Sequence, residues 1–234
     1  MIRAFNTSDL IYIILSTQWT ILLSAIAFAG GACVGGLVAL ARISPRRIVW
    51  WPAAAYISFF QGTPLLLQLF VFFFLPSTIG IQMPALGAAA LGLSLNAGAF
   101  LGEIWRASID AVSKGQTEAA LSLGLRRGRA LQLVVIPQAF KMAIPPTVGF
   151  LVQLVKATSL AAIIGFTELT RSGQILINST YKPFLIFSII AAIYFCLCWP
   201  LSLISAKLEK AADSERRGVP NPKAELLRLS TELH

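Results

Sequence analysis

Long apolar blocks alternate with short basic bands along this chain, and the block lengths set the first expectations. Leu10 to Ala41 is apolar over about 32 residues, more than the roughly 20 that cross a bilayer core at about 1.5 Å each. The polar triplet Gln18-Trp19-Thr20 divides it. This predicts an interfacial approach helix over Leu10 to Thr17, within an N-terminal segment 1–17, and a first span over 19–41. Inside that span Gly30, Gly31, Gly35 and Gly36 stand at the spacing that lets helix backbones approach closely in lipid. A second block, 51–75, is interrupted by Gln61-Gly62-Thr63-Pro64-Leu65. Such a break is tolerated at membrane depth only where it faces protein or a water-filled path. The third block, 84–105, carries Asn96 near its middle, and its Glu103 and Arg106 can pair across one turn. Prolines 137, 145 and 146 leave no uninterrupted run until Thr147, so the fourth span is placed over 143–165. Phe166 to Pro183 is too polar to cross, 184–206 reads as a fifth span, and 208–234 as a solvated cytoplasmic tail.

The expected fold is therefore all-α: a polytopic integral membrane protein of about five transmembrane helices, with one membrane domain over 18–207 and a long loop over 106–137. The fourth span has to accept Gln153, Lys156, Thr158 and Ser159. A lysine near the hydrocarbon centre costs about 2.5–3.5 kcal/mol on insertion scales, so it should face the protein interior. Lys156-Ala157-Thr158-Ser159 is accordingly the expected lining of a translocation path; a purely structural lysine is the other reading.

Composition agrees. The chain of 234 residues is 56% hydrophobic and 12% charged, with mean hydropathy +0.75, against about 25% charged residues in a soluble domain. Net charge is +9, but the basic residues fall in bands between apolar runs and report orientation rather than a nucleic-acid partner. Arg42, Arg46, Arg47, Lys114, Arg126, Arg127 and Arg129 share one side with the basic tail, whereas Arg3, Arg171 and Lys182 take the other. The positive-inside tendency then predicts an outside N-terminus and a cytoplasmic C-terminus. Only Arg3 precedes a first apolar region too long for a signal h-region, so no cleavable signal is expected. Cys33, Cys196 and Cys198 lie within apolar runs, and the sole histidine is His234. Neither a zinc site nor a Ser-His triad is suggested, and no phosphate-binding Gly-x4-Gly-Lys loop is present. The chain is not expected to be an enzyme.

Within the long loop, Thr117 is the expected N-cap of a short helix, Glu118 complements its positive end, and Gly124 supplies a left-handed stop. So small a helix is marginal alone in water and should dock onto something. Ala119, Ala120, Leu121, Leu123 and Leu125 offer a small apolar surface ringed by Arg126, Arg127 and Arg129. The residues alone fit either a peg for a partner's socket or a connector lying on the membrane.

Glu118-Ala119-Ala120, Gly124 and Val134-x-Ile136-Pro137 resemble the cytoplasmic loop signature of bacterial ABC importer permeases, which usually ends Ile-x-Leu-Pro. The resemblance implies a type I importer transmembrane domain in a bacterial inner membrane. It also implies a coupling helix in which Gly115, Gln116, Glu118, Ala119, Ala120, Gly124 and Pro137 meet an ATPase subunit. The run from Ser94 to Ala120 is similar to the polar amino-acid branch, which carries histidine, glutamine or opines. Gln61-Gly62-Thr63-Pro64-Leu65 resembles that branch's Arg-Gly-Thr-Pro-Leu element with Gln61 in place of Arg. Lys156 to Leu160 resembles its Lys, acidic or amide residue, Thr-Ser-Leu element with Ala157 at the second place. Gln61, Gly62, Thr63, Pro64, Asn96, Gln153, Lys156, Thr158 and Ser159 are the expected substrate path. The implied partners are two ATP-binding subunits that carry the ATP and Mg, a second permease copy or a related permease, and a periplasmic substrate-binding protein; no cofactor is expected on this chain. Two other classes fit the sequence: a secondary transporter or channel not driven by ATP, and a structural membrane-assembly subunit.

Overall fold

Residues 4–217 are described by the structure, a computed structural model; of the tail expected over 208–234, 208–217 continues the last helix and 218–234 lies outside the described residues. The first apolar block forms one helix, α1 (Thr7–Arg42), without a break between the expected approach helix and first span. Gln18-Trp19-Thr20 contains no proline or glycine, and the nearby hydroxyls are satisfied without leaving the helix. Ser16 donates to the Tyr12 carbonyl at 2.7 Å and Ser24 to that of Thr20 at 2.7 Å.

The expected second span is two helices, α2 (Arg47–Gly62) and α3 (Leu65–Thr78), bent by 104°. At about 24 and 21 Å neither alone crosses a core of about 30 Å. The third span, α4 (Ala85–Asp110), extends five residues past its expected end. It is the central rod, with Ala88, Ala89, Leu93, Ala97 and Leu101 fully buried. Glycines bring α1 and α4 together as their spacing predicted. A Cβ on Gly31 would stand 2.6 Å from that of Ala97, and one on Gly35 2.9 Å from that of Leu101. The side chains of Val34 and Val38 use the matching gaps at Gly98 and Gly102.

The loop helix α5 (Lys114–Ser122) starts at Ser113, not at Thr117, which lies inside it. Ser113-Lys114-Gly115-Gln116 contains no proline, and the Gln116 N–H closes the first turn on the Ser113 carbonyl at 3.0 Å despite the glycine. A short turn, α6 (Arg127–Ala130), then runs through a π turn at Leu131–Val135 into α7 (Ile136–Ala157) and a 3-10 end at Thr158–Ala162. Together they form one rod, Arg127–Ala162, so the fourth span begins well before 143. The prolines remove hydrogen-bond donors without ending the helix. The π turn ends two residues before Pro137, and beside Pro145 and Pro146 the Thr147 hydroxyl donates to the Ala143 carbonyl at 2.6 Å and Ser205 of the last helix to that of Pro145 at 3.1 Å. Neighbouring helices and hydroxyls are what make prolines tolerable within spans.

The polar stretch expected not to cross holds α8 (Leu169–Thr180), too short to span, and the chain continues in α9 (Pro183–Arg217). Among the described residues, four helical rods are long and apolar enough to cross a membrane, or up to five spans if α2 and α3 count as one. The main core gathers α1, α3, α4, α7 and the Ala161–Phe166 turn around Leu93 and Leu101.

Candidate functional site

α2 has to stop near Pro64, because a proline offers no N–H to the carbonyl four residues before it, that of Phe60. Two buried amides fill the gap. Gln68 Nε2 donates to the Phe60 carbonyl at 2.9 Å and to the Thr63 carbonyl at 3.0 Å, and Asn96 Nδ2 donates to Phe60 at 3.2 Å and to Gln68 Oε1 at 3.0 Å. The Thr63 hydroxyl closes the end of α2 on the Phe59 carbonyl at 2.8 Å. The 104° bend is thus held by side chains of α3 and α4.

Beside this knot a cavity of about 240 Å³ opens between the break, α4 and α7. Gln61, Thr63, Asn96 and Gln153 line it with Phe60, Leu65, Phe100, Phe150, Leu154 and Ala157. Phe100 and Phe150 stack at 5.5 Å between centroids, with planes 17° apart. The Gln61 amide reaches back to the Ala99 carbonyl at 3.4 Å. Four expected path residues therefore meet around one space, and Pro64 caps α3 next to it, while a Cβ on Gly62 would meet nothing within 4 Å. Lys156, Thr158 and Ser159 are not brought into it. Lys156 is exposed on the side of α7 that meets α9 through Val152, Val155 and Cys198. The Thr158 and Ser159 hydroxyls are spent on the carbonyls of Val155 and Lys156, at 2.7 Å each. Sequence reasoning missed Gln68, Phe100 and Phe150. Gln68 left a signal: it is the one polar residue in Leu65–Leu75, a buried amide that needs partners. A larger hollow of about 480 Å³, lined by Tyr12, Trp19, Phe166 and others, contains none of the expected residues.

At the far end of α4, Arg106 binds Glu103 through Nε at 2.9 Å and also reaches Asp110, so the expected pair is present with a third member. α5 stands off the bundle there. Gly115, Gln116, Glu118 and Ala119 are exposed, and only Ala120 turns inward. Gly124, at φ +84°, ends the helix as its position predicted. Its N–H binds the Leu121 carbonyl at 2.9 Å and the Leu125 N–H binds that of Ala120 at 3.1 Å, the paired bonds of a Schellman motif. Pro137 is exposed at the start of α7, and its neighbour Gln138 donates its amide to Gln116 Oε1 of α5 at 3.4 Å.

A second polar group is buried between α1, α8 and α9. Glu168, fully buried, caps α8 by accepting the Arg171 N–H at 3.0 Å, and it also receives the hydroxyls of Tyr194 at 3.0 Å and Thr20 at 3.4 Å. Burial pushes its carboxyl above the ordinary carboxylate range, against the opposing pull of these donors.

Residues 31–213 match the family of binding-protein-dependent transport system inner membrane components. The chain is 37% identical over 210 residues to the probable amino-acid ABC transporter permease protein YckA of Bacillus subtilis (strain 168), covering 88% of this chain and 93% of that one. It is 37% identical to the arginine transport system permease protein ArtQ of the same organism, over 79% of this chain and 84% of the other. Among solved structures, a crystal structure of an amino acid ABC transporter with histidines superposes with TM-score 0.83 at 32% identity, covering 89% of this chain and 100% of that one. The inward-facing MetNI methionine ABC transporter, at 15% identity and TM-score 0.72 over 89% and 99% of the two chains, shares the fold.

Proposed function

This chain belongs to the binding-protein-dependent transport system inner membrane components, and from that premise we propose that it carries an amino acid through the cavity at the α2–α3 break, driven by ATPase subunits that grip α5. It is a multi-pass inner membrane protein and the permease subunit of an ATP-driven importer. One observation carries the coupling. α5 is strung on short linkers between two long rods that line the cavity: α4, which bears Asn96 and Phe100, and the Arg127–Ala162 rod, which bears Phe150 and Gln153. From Asn96 to the end of α4 is about 20 Å of continuous helix, so a push on α5 reaches the cavity through stiff elements.

In this reading two ATP-binding subunits hold the ATP and Mg, and this chain needs no cofactor of its own. A periplasmic binding protein delivers the substrate, and a second copy or a related permease closes the path. The N-terminus lies outside and the C-terminus in the cytoplasm, supported by the basic residues gathered around α5. Each closure of the ATPase pair moves α5 and shifts the cavity between outward and inward states. Glu118→Lys reverses the charge on the exposed face of α5. Gly124→Asp puts a side chain on a left-handed backbone that favours glycine. Both variants are expected to fold and insert in proteoliposomes and to lose ATP-linked uptake by about tenfold or more, equivalent to about 1.4 kcal/mol of lost coupling. Undiminished uptake in both, or uptake without ATPase subunits, overturns the proposal.

A further inference from the structure

The cavity at the break also constrains what it can hold. No charged side chain among the described residues lines it; its polar surface is amide and hydroxyl, and its apolar wall is the Phe100–Phe150 stack. The amides are not equally free. Asn96 spends its NH2 group on Phe60 and Gln68, and Gln61 turns its own toward Ala99. Gln153 donates to and accepts from no described residue, so both halves of its amide are available. Ala157, one turn further along α7, puts a methyl group where a longer acidic side chain would reach the same space. Lys156, the nearest cation on that helix, belongs to the face toward α9.

Resting on the reading of this cavity as the substrate site, we infer that the chain selects an amino acid with a neutral, hydrogen-bonding side chain of the carboxamide kind, and that Gln153 and Ala157 set this choice. A side-chain amide pairs donor-to-acceptor with Gln153 while its methylenes lie against the phenylalanine stack. Every amino acid brings an α-ammonium and an α-carboxylate, and a guanidinium, side-chain ammonium or second carboxylate adds a further charge that this chain's wall of the cavity does not oppose, a cost that a protein interior returns only through paired groups. A cavity of about 240 Å³ lies just under the common range of about 300–1,000 Å³, which suits one small amino acid.

The test is equilibrium binding of radiolabelled glutamine, arginine and glutamate to the purified permease–ATPase complex in nanodiscs, without a binding protein, so that only the membrane site selects. Glutamine is expected to bind about tenfold or more tighter than either charged amino acid, equivalent to about 1.4 kcal/mol. Ala157→Asp should raise arginine affinity and erode that preference, and Gln153→Leu should weaken glutamine binding more than it weakens arginine binding. Tighter binding of arginine or glutamate by the wild-type complex overturns the inference and leaves the importer reading intact. Failure of any amino acid to bind or to be taken up overturns both. Should a variant fail to assemble, the wild-type ranking alone decides.

Discussion

The α2–α3 break and the α5 turn both interrupt an apolar rod, yet their backbones are completed in opposite ways. At the break, the carbonyls of Phe60 and Thr63 are met by the buried amides of Gln68 and Asn96, and that of Phe59 by the neighbouring Thr63 hydroxyl. At α5 the chain closes its own end through Gly124 and leaves Glu118, Ala119 and Leu123 in the open, the last 84% exposed. The difference follows from the solvent at each depth. Hydrocarbon offers no donors, so a bend there survives only if the fold supplies them. Water serves an exposed turn without help, which frees its surface for a partner.

The largest effect that could break this comparison is expected at Gln68. Gln68→Leu strips the donor from Thr63 and the acceptor from Asn96, at roughly 1–3 kcal/mol for each buried group left unpaired. The thermal midpoint of the detergent-solubilised permease should fall clearly. An unchanged midpoint would mean the bend is held by something other than the amide knot.

Glu168 extends the interior pattern to α8 with a smaller, pH-dependent effect. Its carboxyl titrates above the ordinary value when folded, so the folded chain keeps a proton that the unfolded chain, with a pKa of about 4.3, has already lost. That contribution is complete below the ordinary carboxylate pKa and fades as pH rises through the raised one. The midpoint of the wild type relative to Glu168→Gln should therefore decline over this window, and a flat difference across it would refute the assignment.

The smallest effect on stability is expected at the exposed turn. Leu123→Ala should change the isolated permease by less than about 0.5 kcal/mol, as for an ordinary surface position, while weakening capture of the ATPase subunit in a pull-down. A large loss of stability would show that α5 is part of the bundle rather than a surface held out from it.

Much of this architecture was legible in the residues. A bilayer demands about 20 apolar residues per span, and blocks of that size located α1, α4 and α9. Gln61-Gly62-Thr63-Pro64 announced the break because proline cannot donate, and Gly124 announced the end of α5 because a left-handed residue there favours glycine. Other features misled. Gln18-Trp19-Thr20 looked like a boundary and is mid-helix, since polar side chains interrupt a hydropathy run without interrupting a backbone. Pro145 and Pro146 looked like a start and are interior, since a proline removes a donor without having to end a helix that its neighbours pack against. Thr117 looked like a cap and sits inside α5.

What the order of residues determined by itself was one-dimensional: which stretches enter the membrane, where a helix has to break, where one has to stop, and that the glycines of α1 would meet another helix. Those outcomes follow from hydrogen-bond and desolvation requirements that every local segment must meet. Which way each helix is turned about its axis, and how sharply the break bends, came only from packing many segments at once. That rotation put Gln153 and Ala157 on the cavity and Lys156 one residue away on the face toward α9, and it brought Gln68 and Asn96, far apart in the chain, onto the same carbonyl.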